Sequence, residues 1–370
     1  MEQNLSKDNS LLAAKFITDP AVLHDKNGIY SDESRVFQGI PGIEITKGGR
    51  SFIIFYTGTE TEGNGNFLLL YKSGDGKNFG KAFMAIVPPT EDTRCYDPCL
   101  FVDPDGRLNV FWAQSSGWFD GRCGVWRSVC ENPDSDELVF SSPERIANGI
   151  MMNKPTILKN GDWLLPCAVW GCCNSELNYL PEERFSNVYR STDGGKTFRL
   201  FGHCDCENRG FDEHMVYERA DGSLVMLIRC HYGIGVGYSH DGGRSWTKGV
   251  DSKLGGPDSR FFVRRLSSGR LLLVNHVNFT GRNNLTALLS EDDGKTWIGG
   301  LLLDERNDVS YPDGVETPDE FIHIVYDRSR NTDKEILTAV FTEADILTGK
   351  LVTDGSELKR VVVKAYGKKE

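Results

Sequence analysis

Ser191-Thr-Asp-Gly-Gly-Lys-Thr-Phe198, Ser239-His-Asp-Gly-Gly-Arg-Ser-Trp246 and Ser290-Glu-Asp-Asp-Gly-Lys-Thr-Trp297 are three copies of one short pattern. Ser73-Gly-Asp-Gly-Lys-Asn-Phe79 is a fourth, shortened by one residue. Each follows an alternating apolar run, such as Phe67-Leu-Leu-Leu-Tyr-Lys72. The chemistry is that of a hairpin turn. Glycine supplies a positive φ, serine and aspartate oxygens hydrogen-bond within the loop, and the closing aromatic ring anchors the turn in the core. The serines of the last three copies stand about 50 residues apart, and the interval from Ser73 to Ser191 is more than twice that. One repeat between them therefore lacks the turn.

A second repeat runs out of phase with the first. Ile40-Pro41-Gly-Ile-Glu-Ile45, Asp97-Pro98-Cys-Leu-Phe-Val102, Lys154-Pro155-Thr-Ile-Leu158 and Tyr311-Pro312-Asp-Gly-Val-Glu316 each open an alternating strand. Glu213-His214-Met-Val-Tyr-Glu218 and Asp258-Ser-Arg260-Phe-Phe-Val263 take the same place without proline. A turn and a further apolar strand follow, as in Asp105-Gly-Arg-Leu-Asn-Val-Phe111. Six starts divide the 370 residues into units of about 60, the length of a four-stranded blade with its connections. The chain is thus read as all-β: a single six-bladed β-propeller of four-stranded antiparallel blades over residues 1–370. Residues 1–36 are expected to supply a closing strand or a cap.

Composition narrows the possible functions. A hydrophobic content of 39% with 11% aromatics can fill such a core and excludes a disordered or fibrous chain. A formal charge of −11 argues against nucleic acid as the partner, although a local arginine cluster can still hold a small anion. The chain has no run of about 18 apolar residues, so no membrane association is expected. The stretch Met1-Glu-Gln-Asn-Leu-Ser-Lys-Asp8 has neither the basic start nor the apolar run of a secretory signal, which predicts a cytoplasmic location. The 10 cysteines, Cys172-Cys173 and Cys204-Asp-Cys206 among them, lack zinc-like spacing and are read as free thiols. His203, His214, His231 and His276 also lack metal-ligand spacing, so no metal or other cofactor is expected.

In a propeller the first strand of each blade lines the central channel. The residues that open the six starts therefore converge on one mouth: Gln38, Asp97, Asn153 with Lys154, Glu213 with His214, Asp258 with Arg260, and Tyr311. A ring so polar and charged points to binding or catalysis.

The short turn is the Asp-box, and the chain resembles the sialidase superfamily over nearly its whole length. The segment Glu213 to Arg229 resembles the family's fourth-blade hairpin, with Glu and Arg at opposite ends of an Asp221-Gly222 turn. Arg282-Asn-Asn-Leu285, shortly before Ser290, resembles the family's next arginine, and Val309-Ser310-Tyr311 stands where the family carries a nucleophilic tyrosine. The resemblance implies a retaining exo-glycosidase that releases a terminal acidic or modified sugar from an oligosaccharide or glycoconjugate. Tyr311 would be its nucleophile, Glu213 the base, and Arg229 and Arg282 the grip on a substrate carboxylate. The physics agrees. A phenol of pKa near 10 is a poor nucleophile unless a carboxylate takes its proton, and its neutral form meets an anionic sugar without charge repulsion. Arginine holds a carboxylate through charge-assisted, often bidentate bonds.

Two departures from the family stand out. Where the family opens with Phe/Tyr-Arg-Ile-Pro, this chain reads Phe37-Gln38-Gly39-Ile40-Pro41, with Gln in place of Arg and one residue inserted. Arg35, Arg94 or Arg260 are candidates to substitute in space. The family's acidic Asp has no clear match in Thr59-Glu60-Thr-Glu62-Gly-Asn-Gly-Asn66; Glu62 is assigned that role, with Glu60 and Asp97 behind it. Gln38, Asp97, Lys154, His214 and Arg260 complete the expected substrate contacts. Two other functions remain open on sequence: a uronate- or deoxy-sugar-directed hydrolase or lyase using Tyr311 or His214 as base, and a non-catalytic carbohydrate-binding propeller.

Overall fold

The computed structural model describes residues 19–24, 30–58, 60–116, 124–170 and 180–368. They form six antiparallel sheets, one per blade. Blade 1 contains β1 (Val22–His24), β2 (Phe37–Ile45), β3 (Ser51–Gly58), β4 (Phe67–Ser73) and β5 (Met84–Val87). Blade 2 contains β6 (Thr93–Val102), β7 (Leu108–Ser116), β8 (Val125–Cys130) and β9 (Glu144–Ala147). Blade 3 contains β10 (Thr156–Ile157), β11 (Trp163–Ala168), β12 (Ser186–Ser191) and β13 (Arg199–Cys204). Blade 4 contains β14 (Arg209–Glu218), β15 (Leu224–Cys230), β16 (Gly233–Ser239) and β17 (Val250–Asp251). Blade 5 contains β18 (Phe262–Arg265), β19 (Leu271–His276), β20 (Leu285–Ser290) and β21 (Ile298–Asp304). Blade 6 contains β22 (Val309–Glu316), β23 (Ile322–Arg328), β24 (Glu335–Phe341), the short helix α1 (Glu343–Thr348) and β25 (Glu357–Lys364).

The second strand of a blade packs between neighbouring blades on both faces, which is why β3, β15 and β19 are buried along their whole length. The core lies between blades rather than within one. Met215 and Leu227 of blade 4, Phe262 and Leu273 of blade 5, and Tyr326 of blade 6 belong to one apolar cluster. Seven described cysteines are buried and free.

The Ser-x-Asp turns join β4 to β5, β12 to β13, β16 to β17 and β20 to β21. Ser191 Oγ donates to Asp193 Oδ1 at 2.7 Å, and that oxygen also accepts from the amides of Lys196 and Thr197 at 3.1 and 3.0 Å. These bonds, with the Thr197 hydroxyl contributing most, hold the Asp193 carboxyl well below its usual range. The repeat between Ser73 and Ser191 that lacks the turn is blade 2, whose outer hairpin joins Cys130 to Glu144 by an unrelated loop; blade 6 also lacks it, its last two strands being joined through α1.

Of residues 1–36, expected to supply a closing strand or a cap, the described part holds β1, in blade 1. Among the described residues, blade 6 draws all its strands from the C-terminal part of the chain. β1 pairs with β5 and extends the outer edge of blade 1, with Val22 opposite Val87. Closure comes from a clasp: the amides of Tyr366 and Gly367 donate to the carbonyls of Asp32 and Arg35 at 2.7 and 3.0 Å. Residues 1–18 and 25–29 lie outside the described residues.

A buried ionic hub links the inner strands. Lys154 Nζ bonds the carbonyls of Ile43 and Leu100 at 2.6 and 2.8 Å and Glu44 Oε1 at 2.8 Å, and lies 3.2 Å from Asp313 Oδ2. Arg260 pairs with Asp313 Oδ1 at 3.3 Å, and the Ile43 amide donates to Asp313 Oδ2 at 2.9 Å. Burial disfavours the Lys154 charge, but Asp313 and Glu44 more than offset this and raise its pKa. Replacing one partner of such a group strands the others without compensation. Lys154→Met is therefore expected to cost about 3–5 kcal/mol of stability, read by urea denaturation. A loss below about 1 kcal/mol would remove the hub from any structural role.

Candidate active site

The inner strands of blades 1, 2, 4 and 6 break register at corresponding places, between Gly39 and Gly42, Tyr96 and Cys99, Asp212 and Met215, and Ser310 and Asp313, and blade 4 breaks again between Arg209 and Asp212. Each corresponding break contains a non-glycine residue with left-handed backbone: Ile40 at φ 54°, Asp97 at 47°, Glu213 at 41° and Tyr311 at 54°. Such backbone costs about 1–3 kcal/mol per residue, and a bulge re-aims the side chain it carries. Three of the four, Asp97, Glu213 and Tyr311, line one cavity of about 160 Å³.

Tyr311 is its centre. Its hydroxyl donates to Glu213 Oε1 at 3.3 Å, and Arg229 Nη1 donates both to that oxygen at 2.6 Å and to Tyr311 Oη at 3.2 Å. The guanidinium groups of Arg282 and Arg330 lie over the Tyr311 ring, 5.4 and 5.0 Å from its centroid. Burial pushes the phenol pKa up and the Glu213 charge adds to this, while Arg229, Arg282 and Arg330 pull it back. Asp258 holds two of these arginines in place. Its Oδ1 pairs with Arg229 Nε at 2.6 Å, and its carbonyl accepts from Arg229 Nη2 at 3.0 Å and Arg282 Nη2 at 3.1 Å.

The facing wall carries Glu62, Asp97 and Arg94. Glu62 Oε1 accepts from Arg330 Nη1 at 2.6 Å. Burial, reinforced by the charge of Glu62, raises the Asp97 pKa well above the carboxylate range and favours its neutral form, with Arg94 opposing. Tyr56, Met152, Trp170 and Phe211 supply the apolar lining, and Trp170 meets Phe211 edge to face at 5.1 Å.

Of the residues expected from sequence, Tyr311, Glu213, Glu62, Arg229, Arg282 and Asp97 meet in this cavity. Four do not reach it. Gln38 is fully buried beside it, with Nε2 donating to the Lys334 carbonyl at 2.6 Å and its amide oxygen taken by Arg35. Lys154 and Arg260 are consumed by the ionic hub. His214 points behind the strand, where Nε2 bonds the Asn187 carbonyl at 2.7 Å; burial lowers its pKa to about 4, so it stays neutral. For Gln38 and His214 the reason is that alternate residues of a strand face opposite sides, and the bulges of blades 1 and 4 decide which one turns inward. Lys154 and Arg260 precede β10 and β18 and are drawn to the hub carboxylates instead. Arg330 was not expected at all. It follows β23, outside every strand start, and the absent side chain of Gly39 was its only trace in the sequence. Among the described residues no cluster of His, Cys, Asp and Glu is placed to hold a metal ion.

The family model of the BNR repeat-like domain matches residues 50–324. The chain belongs to the BNR repeat-like domain family. A sialidase of Bacteroides fragilis (strain YCH46) is 29% identical to this BNR repeat-like protein over 157 residues, a match covering 39% of this chain and only 28% of the relative. Among solved structures, the intramolecular trans-sialidase of Ruminococcus gnavus superposes with a TM-score of 0.64 at 14% identity, over 84% of this chain and 96% of that one. A Dyadobacter fermentans protein of unknown function gives 0.62 at 18% identity, over 85% and 95%. These likenesses establish a sialidase-like propeller fold for this BNR repeat-like chain.

The raised pKa of Asp97 carries a stability cost with a definite sign. A carboxyl whose folded pKa exceeds its unfolded value of about 4 favours the folded state at low pH, and that contribution is lost as pH rises. Asp97→Asn is therefore expected to match or exceed the wild-type Tm at pH 7–8, with the difference fading towards pH 4. A Tm more than about 2 °C below wild type at pH 8 would contradict the assignment.

Proposed function

We propose that this protein is a sialidase-like retaining exo-glycosidase that removes a terminal acidic sugar, of the sialic acid type, from a glycan. The observation that supports it most is the Tyr311 hydroxyl 3.3 Å from Glu213 Oε1, with three guanidinium groups around it. A tyrosine bonded to a buried carboxylate is a nucleophile with its base at hand. The surrounding arginines stabilise both the phenolate that develops in attack and the carboxylate of a bound acidic sugar.

In the first step Tyr311 Oη attacks the anomeric carbon while Glu213 takes the phenolic proton. The bond to the leaving oxygen breaks as Glu62 protonates it, which yields a covalent sugar–tyrosine intermediate. In the second step Glu62, now a carboxylate, takes a proton from water as that water attacks the same carbon. The bond to Tyr311 Oη breaks and Glu213 returns the proton to it. Neutral Asp97 and charged Arg94 offer hydrogen-bond donors to sugar hydroxyls, and Trp170 and Phe211 offer an apolar face.

The cavity volume, about 160 Å³, is small beside the ~300–1,000 Å³ of drug-sized sites and suits one terminal residue rather than a chain. The elimination route through His214 loses support because that ring faces away from the cavity. A purely binding propeller has no need of a carboxylate against a phenol.

The test is sugar release from 3′-sialyllactose, read by mass spectrometry. Tyr311→Phe should abolish turnover with the Tm nearly unchanged, and Glu213→Gln should lower kcat by about 10²–10⁴-fold. If Tyr311→Phe keeps more than about a tenth of wild-type activity, Tyr311 is not the nucleophile.

A further inference from the structure

We propose that Arg330, reaching the cavity across Gly39, is the third guanidinium of the carboxylate-binding site, and that Glu62 occupies it in the unliganded protein as an internal stand-in for the ligand's carboxylate. The inference rests on reading the cavity as an acidic-sugar site.

Arg330 is carried to the site by a turn stitched to the neighbouring blade. The Lys334 amide closes the turn on the Ser329 carbonyl at 2.8 Å. From blade 1, the Gln38 amide donates to the Arg330 carbonyl at 3.2 Å and Gln38 Nε2 to the Lys334 carbonyl at 2.6 Å. In return, Asn331 Nδ2 donates to the Glu60 carbonyl at 2.8 Å. The turn belongs to blade 6 by sequence and to the wall of blade 1 by contact. Gln38, absent from the cavity, holds the backbone of the residue that enters it.

The side chain then crosses residue 39. A Cβ at this position would lie 2.3 Å from Arg330 Cδ and 2.6 Å from Arg330 Cγ, well inside van der Waals contact. Any larger residue at 39 must displace Arg330 from this path, and its Cβ would also press on Asp327 Oδ2 at 2.8 Å. The start of blade 1 thus lacks the expected positive charge at Gln38, and Arg330 from blade 6 brings one across the neighbouring Gly39.

The charge of Arg330 has one replaceable partner. Asp327 lies 4.0 Å from Nε, and its oxygens already accept from the Ile40 amide and the Ser310 hydroxyl, both at 2.7 Å. The short pair is with Glu62 at 2.6 Å, and the Glu62 side chain keeps 29% of its surface exposed. A ligand carboxylate that takes Arg330 breaks one ion pair and forms another, so no new buried charge is created. Glu62 is released in the same event, on the side of the cavity that carries Asp97, and takes from solvent the proton it delivers to the leaving oxygen.

The experiment is calorimetric binding of the 2,3-unsaturated derivative of N-acetylneuraminic acid and of its methyl ester, which lacks the charge. Wild type should bind the acid at least about tenfold more tightly than the ester. Arg330→Ala and Gly39→Ala should each weaken the acid by about 10–100-fold and leave the ester within about twofold. Glu62→Gln should do the reverse and tighten the acid by several-fold, because the internal competitor is gone. Should Arg330→Ala fail to fold, Gly39→Ala and Glu62→Gln still decide the matter. Unchanged acid affinity in the arginine and glycine variants, with wild type still preferring the acid, overturns this inference and leaves the enzymatic reading intact. Weaker acid binding in Glu62→Gln overturns the stand-in role. A wild type indifferent to the carboxylate overturns both the inference and the acidic-sugar reading beneath it.

Discussion

In four of the six inner strands a bulky residue is held with left-handed backbone, at a φ between 41° and 54°. The conformation is unfavourable by about 1–3 kcal/mol per residue, and it persists only where surrounding bonds over-determine it. Those bonds are visible in blade 1, where the Ile40 amide, turned out of the ladder, is taken by Asp327 Oδ2 at 2.7 Å. A regular strand would alternate its side chains between the two faces of the blade. The bulge instead turns one residue out of that alternation. Asp97, Glu213 and Tyr311 share a cavity because blades 2, 4 and 6 repeat the same distortion.

Electrostatics divides the inner strands into two parts. The hub of Lys154, Arg260, Glu44 and Asp313 matches two cations with two carboxylates, and each charge is spent on a fixed partner. The candidate site is less balanced. Arg94, Arg229, Arg282 and Arg330 face Glu62, Glu213 and Asp97, and Asp97 is pushed towards its neutral form. A chain whose formal charge is −11 thus builds a locally positive cavity. Field lines in a low-dielectric pocket depend on near charges far more than on the total.

Much of this was legible in the sequence because repeats write the same physics several times. The Ser-x-Asp-x-Gly turns recur with the serine hydroxyl on the aspartate, as Ser239 on Asp241 and Ser290 on Asp292 at 2.9 Å each. The six strand starts at Ile40, Asp97, Lys154, Glu213, Asp258 and Tyr311 fall in or just before the six inner strands. Reading stopped at side-chain direction. Glu213 and His214 are neighbours, yet one enters the cavity and the other bonds Asn187 behind it. Arg330 was invisible because it arrives from a loop rather than a strand, across a glycine whose meaning depends on a residue almost 300 positions away.

The sequence by itself determined the blade count, the hairpin turns and the three residue types at the heart of the site, Tyr311, Glu213 and Arg229. Turn chemistry and alternation act over a few residues, and the spacing of a repeat is countable. The tertiary structure decided which charges are spent on holding the blades together, how the ring closes, and which arginine stands beside Gly39. Those outcomes depend on competition between groups from different blades for the same few ångströms near the axis. Contacts of that kind are set by packing, and no local pattern records them.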